Sequence, residues 1–111
     1  MIRLTVMYNL APDQDEQVFL EWRLGAHQAA NQSMPGVLRT DFARVEDAWP
    51  AGTKPPYRFI TTLDWPDRES FEAAFFDPDE QAALEENLKK LADPVFLISE
   101  ILIHESKEDN Q

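Results

Sequence analysis

The chain has 111 residues, 43% of them hydrophobic and 28% charged, and its 10 Lys and Arg against 21 Asp and Glu leave a net charge of −11. This length corresponds to one domain, and this much apolar side chain offsets the entropy of ordering it, which excludes intrinsic disorder. The acidic balance opposes a nucleic-acid partner and an anionic membrane surface, both of which need clustered Lys and Arg, while the absence of cysteine removes disulfides, thiolate metal sites and a Cys nucleophile.

Residues 2–8 alternate as a strand, with Ile2, Leu4, Val6 and Tyr8 on one face and Arg3, Thr5 and Met7 on the other. Pro12 breaks it. Asp13 followed by Glu16 reads as a capping box that opens a helix running to Asn31. At 100° per residue Val18, Phe19, Trp22, Ala26 and Ala29 share an arc, beside a second stripe of Leu20, Leu24 and His27. Met34-Pro35-Gly36 makes a turn into a second strand, Val37 to Val45. There Arg39 and Asp41 share a face with Val37, Ala43 and Val45, opposite Leu38, Thr40, Phe42 and Arg44.

The segment from Glu46 to Pro56 holds three prolines and one glycine and reads as a loop. A third strand runs from Tyr57 to Trp65, with Tyr57, Phe59, Thr61, Leu63 and Trp65 on one face. Pro66-Asp67 opens a helix carrying Phe71 and Phe75. Asp77-Pro78-Asp79-Glu80 restarts it, with Asp77 as cap and Pro78 at the first helical position. Leu84, Leu88 and Leu91 form its stripe, Asp93-Pro94 stops it, and Val95 to Ile103 is the fourth strand. Residues 1–104 form the domain and 105–111 a polar tail.

The order strand, helix, strand, strand, helix, strand is the split β-α-β pattern of ferredoxin-like α+β folds. It implies a four-stranded antiparallel sheet with both helices on one face. A second copy is the simplest cover for the other face, so a homodimer closing into a dimeric α/β barrel is expected. No stretch approaches the roughly 18–20 apolar residues of a membrane span, and the opening residues lack the layout of a signal peptide, so the expected location is cytoplasmic.

Of two histidines, only His27 lies inside the expected body; His104 sits beside the tail. A neutral imidazole is suited to acid–base work near neutral pH, and a helix histidine bonded to backbone is the plainer reading. No His spacing matches a metal site, and capping explains Asp13/Asp15/Glu16 and Asp77/Asp79/Glu80 better than calcium. With three scattered glycines, no phosphate loop or nucleotide cofactor is expected. Arg39 and Asp41, two charges on a largely apolar strand face, read as a buried pair, a cavity lining or an exposed edge. Tyr8, Trp22, Phe42, Tyr57, Phe59 and Trp65 are the aromatic stock for a core or a pocket.

Met1-Ile2-Arg3-Leu4-Thr5-Val6-Met7-Tyr8, the Trp22 to His27 helix, Met34-Pro35-Gly36-Val37, Pro56-Tyr57-Arg58-Phe59-Ile60, Leu63-Asp64-Trp65 and Phe71-Glu72-Ala73-Ala74-Phe75 before Asp77-Pro78 together resemble the EthD family, over nearly the whole chain to Ile103. The resemblance implies a dimeric α/β barrel whose members bind small, often aromatic molecules between sheet and helices, many without metal or organic cofactor. It matches His27 to the family's helix histidine, although Gly25-Ala26-His27-Gln28-Ala29 lacks the proline that commonly follows it.

The expectation is therefore a cofactor-free enzyme acting on a small aromatic or lactone-like molecule in an isomerase, cyclase, dehydratase or oxygenase-like step. His27 would move the proton and Arg39 would hold a substrate oxygen. Tyr8, Trp22, Asp41, Tyr57 and Phe59 would shape the pocket. The alternative is a non-catalytic carrier or accessory protein for an apolar metabolite.

Overall fold

A computed structural model describes residues 1–107. Residues 108–111, the end of the expected polar tail, lie outside the described residues. The elements are β1 (Ile2–Leu10), α1 (Glu16–Trp22), a π-helical turn (Arg23–His27), α2 (Gln28–Gln32), β2 (Arg39–Arg44), β3 (Phe59–Trp65), α3 (Arg68–Phe75), α4 (Pro78–Leu88) and β4 (Leu91–Glu100). The strands form one antiparallel sheet in the order β2-β3-β1-β4, as the ferredoxin-like expectation requires.

Alternation sets the faces. In the register of β1 with β3, Ile2 lies opposite Trp65, Leu4 opposite Leu63, Val6 opposite Thr61 and Tyr8 opposite Phe59. All eight are buried, and Phe19, Met34, Phe71 and Ala74 close over them from the helical side. Trp65 is fully buried. Its ring meets Phe71 edge-on at 5.2 Å, and its Nε1 donates to the Pro35 carbonyl at 3.0 Å. Gly36 follows Pro35 with φ +76°, a left-handed conformation that glycine adopts without penalty.

Both later helices start where their caps predict. Asp67 accepts from the Ser70 amide, and Asp77 accepts from the Asp79 and Glu80 amides. The first helix starts later than expected. A turn from the Ala11 carbonyl to the Gln14 amide takes up Pro12 and Asp13, and Asp15 rather than Asp13 caps it, accepting from the Val18 amide at 3.0 Å. Arg58 then clamps Glu16 with two bonds of 3.0 Å, tying the helix start to the base of the long loop.

The strand boundaries also differ from the sequence reading: β2 and β3 each start two residues later, at Arg39 and Phe59, and β4 runs from Leu91 to Glu100 rather than from Val95 to Ile103. Leu91 pairs with Leu10 in the sheet rather than extending the α4 stripe, and Asp93-Pro94 lies within β4 instead of ending a helix. Between Met7 and Asn9 the β1 strand has one residue, whereas β4 has two between Ala92 and Val95. This bulge, with Asp93 at φ +54°, accommodates a proline that has no N–H for the ladder, on a strand at the sheet edge.

Candidate functional site

The first helical run builds one wall of a cavity of about 90 Å³ between the helices and the sheet. Phe19, Arg23, His27 and Asn31 line it at steps of four residues. In a regular α-helix each such step advances by about 40°, so three steps would carry Asn31 away from the wall. The wider turn at Arg23–His27 takes back part of that drift and keeps the row on one side. Turns of this kind occur often at functional sites. Val18 and Leu24 are exposed at 64% and 62%, and Ala26 and Ala29 are exposed as well, against the two apolar stripes read from regular periodicity.

The sheet contributes Tyr8, Val6 and Thr61 to the floor, and α4 contributes Glu80, Leu84 and Asn87. Leu84 is only half-buried because the cavity lies beneath α4, which has no buried residue. Trp22 stacks on His27 with ring centres 4.4 Å apart, and Lys90 Nζ lies 4.6 Å from the same indole. Among the described residues neither the His27 ring nor the Asn31 amide, which is 8% exposed, has a hydrogen-bond partner in the protein.

Burial, with the cations Arg23 and Lys90 nearby, lowers the His27 pKa from its ordinary 6.5 to about 4. The ring is therefore neutral at pH 7. Burial, with Asp77 adding to it, raises the Glu80 carboxyl above its usual range.

The His27 shift predicts a pH effect on stability. Above about pH 6.5 the ring is neutral in both folded and unfolded chains, and the protein keeps its full stability. Between 6.5 and 4 the unfolded chain takes up a proton that the folded chain refuses, so stability falls as pH falls and levels off below about 4. Allowing for the ring's partial exposure, the loss is about 1–2 kcal/mol. Urea unfolding at pH 7 and pH 4.5 checks this: the parent should lose about that much more than His27→Phe, and equal losses would refute it.

Arg23 is 1% exposed. Its Nη1 donates to Gln28 Oε1 at 2.8 Å and its Nη2 to Thr61 Oγ1 at 3.2 Å, and its Cζ lies 4.1 Å from the centre of the Phe42 ring. Tyr8 Oη and Thr61 Oγ1 are 3.5 Å apart.

Of the residues singled out from the sequence, the structure brings Tyr8, Trp22 and His27 together in the cavity. Phe59 lies beneath it, fully buried against Tyr8, Phe19 and Phe42. Tyr57 precedes β3 and lines a separate depression with Asn9, Val45 and Lys54. Arg39 and Asp41 are not in the cavity. They pair with each other at 2.9 Å on the helix-free face of the sheet, half-exposed, where Arg39 lies opposite Asp64 in the register and Asp64 takes two bonds from Arg3 of 2.7 and 2.9 Å. Pairing register decides this: Thr40 and Phe42 lie opposite Leu63 and Thr61, so the alternate residues Arg39 and Asp41 face away from the helices. Arg23, Asn31, Thr61, Glu80 and Asn87 are cavity residues that the sequence reading missed. The spacing of Arg23, His27 and Asn31 at four and four was the available signal for two of them.

The sequence pattern of the family described as REDY-like protein HapK matches residues 2–102. The chain belongs to this family. No curated protein matches the chain. In three dimensions the HapK-family fold seen here is similar to an EthD family protein from Bacillus halodurans, with a TM-score of 0.74 and 19% identity over 92% of this chain and 99% of that one. It is also similar to a dimeric ferredoxin-like protein of unknown function from Thermobifida fusca (TM-score 0.66, 24% identity, 90% of each chain). A third likeness is to SnoaB, a cofactor-independent oxygenase from Streptomyces nogalater (TM-score 0.68, 12% identity, 93% of this chain and 94% of that one). The EthD likeness and the ferredoxin-like fold expected from the sequence are thereby shown. Among the described residues no helix is long and apolar enough to cross a membrane.

Proposed function

We propose that this chain is a cofactor-independent enzyme that binds a small, largely apolar aromatic or lactone-like molecule in the helix–sheet cavity and moves a proton on it with His27. The observation that carries this reading is a neutral imidazole, stacked on Trp22 and without a protein hydrogen-bond partner among the described residues, facing a largely apolar cavity. The proton would pass from an acidic C–H or O–H of the ligand to the free ring nitrogen, leaving an enolate-type anion, and return from the imidazolium at a second atom. Asn31 is placed to hold a polar group of the ligand. The SnoaB likeness supports chemistry without a cofactor on this fold.

We also propose a homodimer closed through the helix-free sheet face, where Thr5, Met7, Ile60 and Thr62 surround the Arg3–Asp64 pair. The dimeric Thermobifida protein supports this. One observation favours the carrier reading: a ring lowered to about 4 is a weak base, and among the described residues no protein hydrogen bond fixes which nitrogen carries its proton.

Deuterium exchange at the benzylic carbon of phenylacetone, followed by NMR in D2O, separates the two. The enzyme reading expects exchange accelerated over buffer and reduced about 10²–10⁴-fold in His27→Phe, with ligand-induced shifts of the Trp22 indole preserved. Shifts at Trp22 without accelerated exchange would replace the enzyme by the carrier.

A further inference from the structure

Arg23 is the fully buried charge of the cavity wall that proton transfer by His27 leaves without a task. Its hydrogen bonds go to two neutral oxygens, Gln28 Oε1 and Thr61 Oγ1, and its Cζ lies over the Phe42 ring, 4.1 Å from the centre. Among the described residues no carboxylate lies within ion-pairing distance of it, and the ion pairs found all involve other residues. The buried carboxylate on the opposite face of the same sheet, Asp64, is treated differently, since it receives two bonds from Arg3. A guanidinium carries five N–H donors and a charge that cannot be given up, and burying such a charge unpaired is costly.

The groups around it do not supply the counter-charge. Tyr8 and Thr61 offer neutral hydroxyls. His27 and Lys90 add no negative charge. Glu80, the carboxyl that lines the cavity from α4, makes no ion pair with Arg23.

We propose that the ligand supplies the missing charge: the cavity takes an aromatic or otherwise apolar molecule as its anion, with a carboxylate or an acidic enol or phenol oxygen on the Arg23 guanidinium and its ring towards Trp22 and His27. The inference rests on the cavity being a ligand site, as read above, and adds the chemical class. Arg23 then takes the anion-holding part that the sequence reading assigned to Arg39. Charge-assisted hydrogen bonds are the stronger kind, and a buried site strengthens them further. Overall attraction cannot produce such a preference, since a net charge of −11 repels anions.

The test compares benzoate with benzamide, a neutral molecule of nearly the same shape, by NMR titration of the full chain at pH 7.5. The indole resonance of Trp22 reports occupancy of the cavity. Benzoate is expected to bind at least tenfold more tightly than benzamide, and Arg23→Met should remove that preference while benzamide still shifts Trp22. Arg23→Lys, which keeps the charge without the fork, serves if the Met variant does not fold, and a preference between the two extremes is expected. If both compounds shift Trp22 and benzamide binds as well as benzoate, the anion inference falls and the cavity reading stands. If neither shifts Trp22, the cavity reading falls and the inference falls with it.

Discussion

Trp65→Ala is expected to lose about 3–5 kcal/mol of unfolding free energy, the range for truncating a fully buried large aromatic. The indole is in contact with three parts of the fold. It sits opposite Ile2 in the central strand pair, meets Phe71 of α3 edge-on, and donates to the Pro35 carbonyl in the turn that leads to β2. A Cβ built on Gly36 would come 3.4 Å from its Cδ1, so the turn backbone lies close against the ring. Truncation therefore opens a void and leaves the Pro35 carbonyl without its donor. Met34, which lines the cavity, precedes that turn and is expected to shift with it. For a domain stabilised by some 5–15 kcal/mol, this is a large fraction. Urea unfolding followed by circular dichroism measures it. Trp65→Phe, which keeps most of the packing and loses the donor, should cost only about 1–2 kcal/mol. A loss under 1 kcal/mol for the Ala variant would mean that the turn and α3 are held independently of the indole.

Arg23→Met should act in the opposite direction and stabilise the ligand-free protein by about 1–3 kcal/mol. Methionine keeps much of the side-chain volume and removes a buried charge that lacks a carboxylate partner. Replacing buried ions by apolar side chains is often neutral or stabilising by a similar amount. The burial cost is visible in the Arg23 pKa, which desolvation lowers and the neighbouring Tyr8 hydroxyl only partly restores. Two hydrogen bonds are lost, but Gln28 is half-buried with access to water, and Thr61 keeps Tyr8 within 3.5 Å. For a chain of this length the gain corresponds to a rise in melting temperature of roughly 5–15 °C. Such a rise would mark Arg23 as a residue kept at the expense of stability, the pattern found at functional sites. A fall in melting temperature would make it a structural keystone held by Gln28, Thr61 and Phe42.

The legible parts of the fold were those set by neighbours in the chain. Alternation in Ile2–Leu10 and Phe59–Trp65 carries the strand period directly, and the sides of β2 were assigned correctly, with Phe42 opposite Arg39 and Asp41. Asp67 and Asp77 cap helices because their carboxylates meet amides two or three residues away, an interaction written in local spacing. Asp13 failed by the same logic: Asp15 competes two residues on, and only the turn over Pro12 decides between them. Which side of β2 meets the helices is not local information: the chemistry of Arg39 and Asp41 points to a site, and pairing register turns them away from it.

The candidate site shows the same division. Trp22 and His27 could be read onto one helix, in adjacent stripes, and Tyr8 as inward-facing on its strand. In a regular helix Arg23 falls about 40° from both Phe19 and His27, between the two stripes, but a charged side chain carries no local sign of burial, and a π-helical turn adds one residue without a composition signal. The sequence by itself determined the order of elements, the alternation that puts Leu4, Val6 and Tyr8 inside, and the caps that start α3 and α4, since all of these depend on interactions within a few residues. Only the tertiary structure decided that a buried guanidinium and a neutral histidine share one wall of a cavity and that the arginine ion pairs stand outside it. Burial and counter-charge are properties of groups brought together from distant parts of the chain, and they become defined only when the sheet and helices pack.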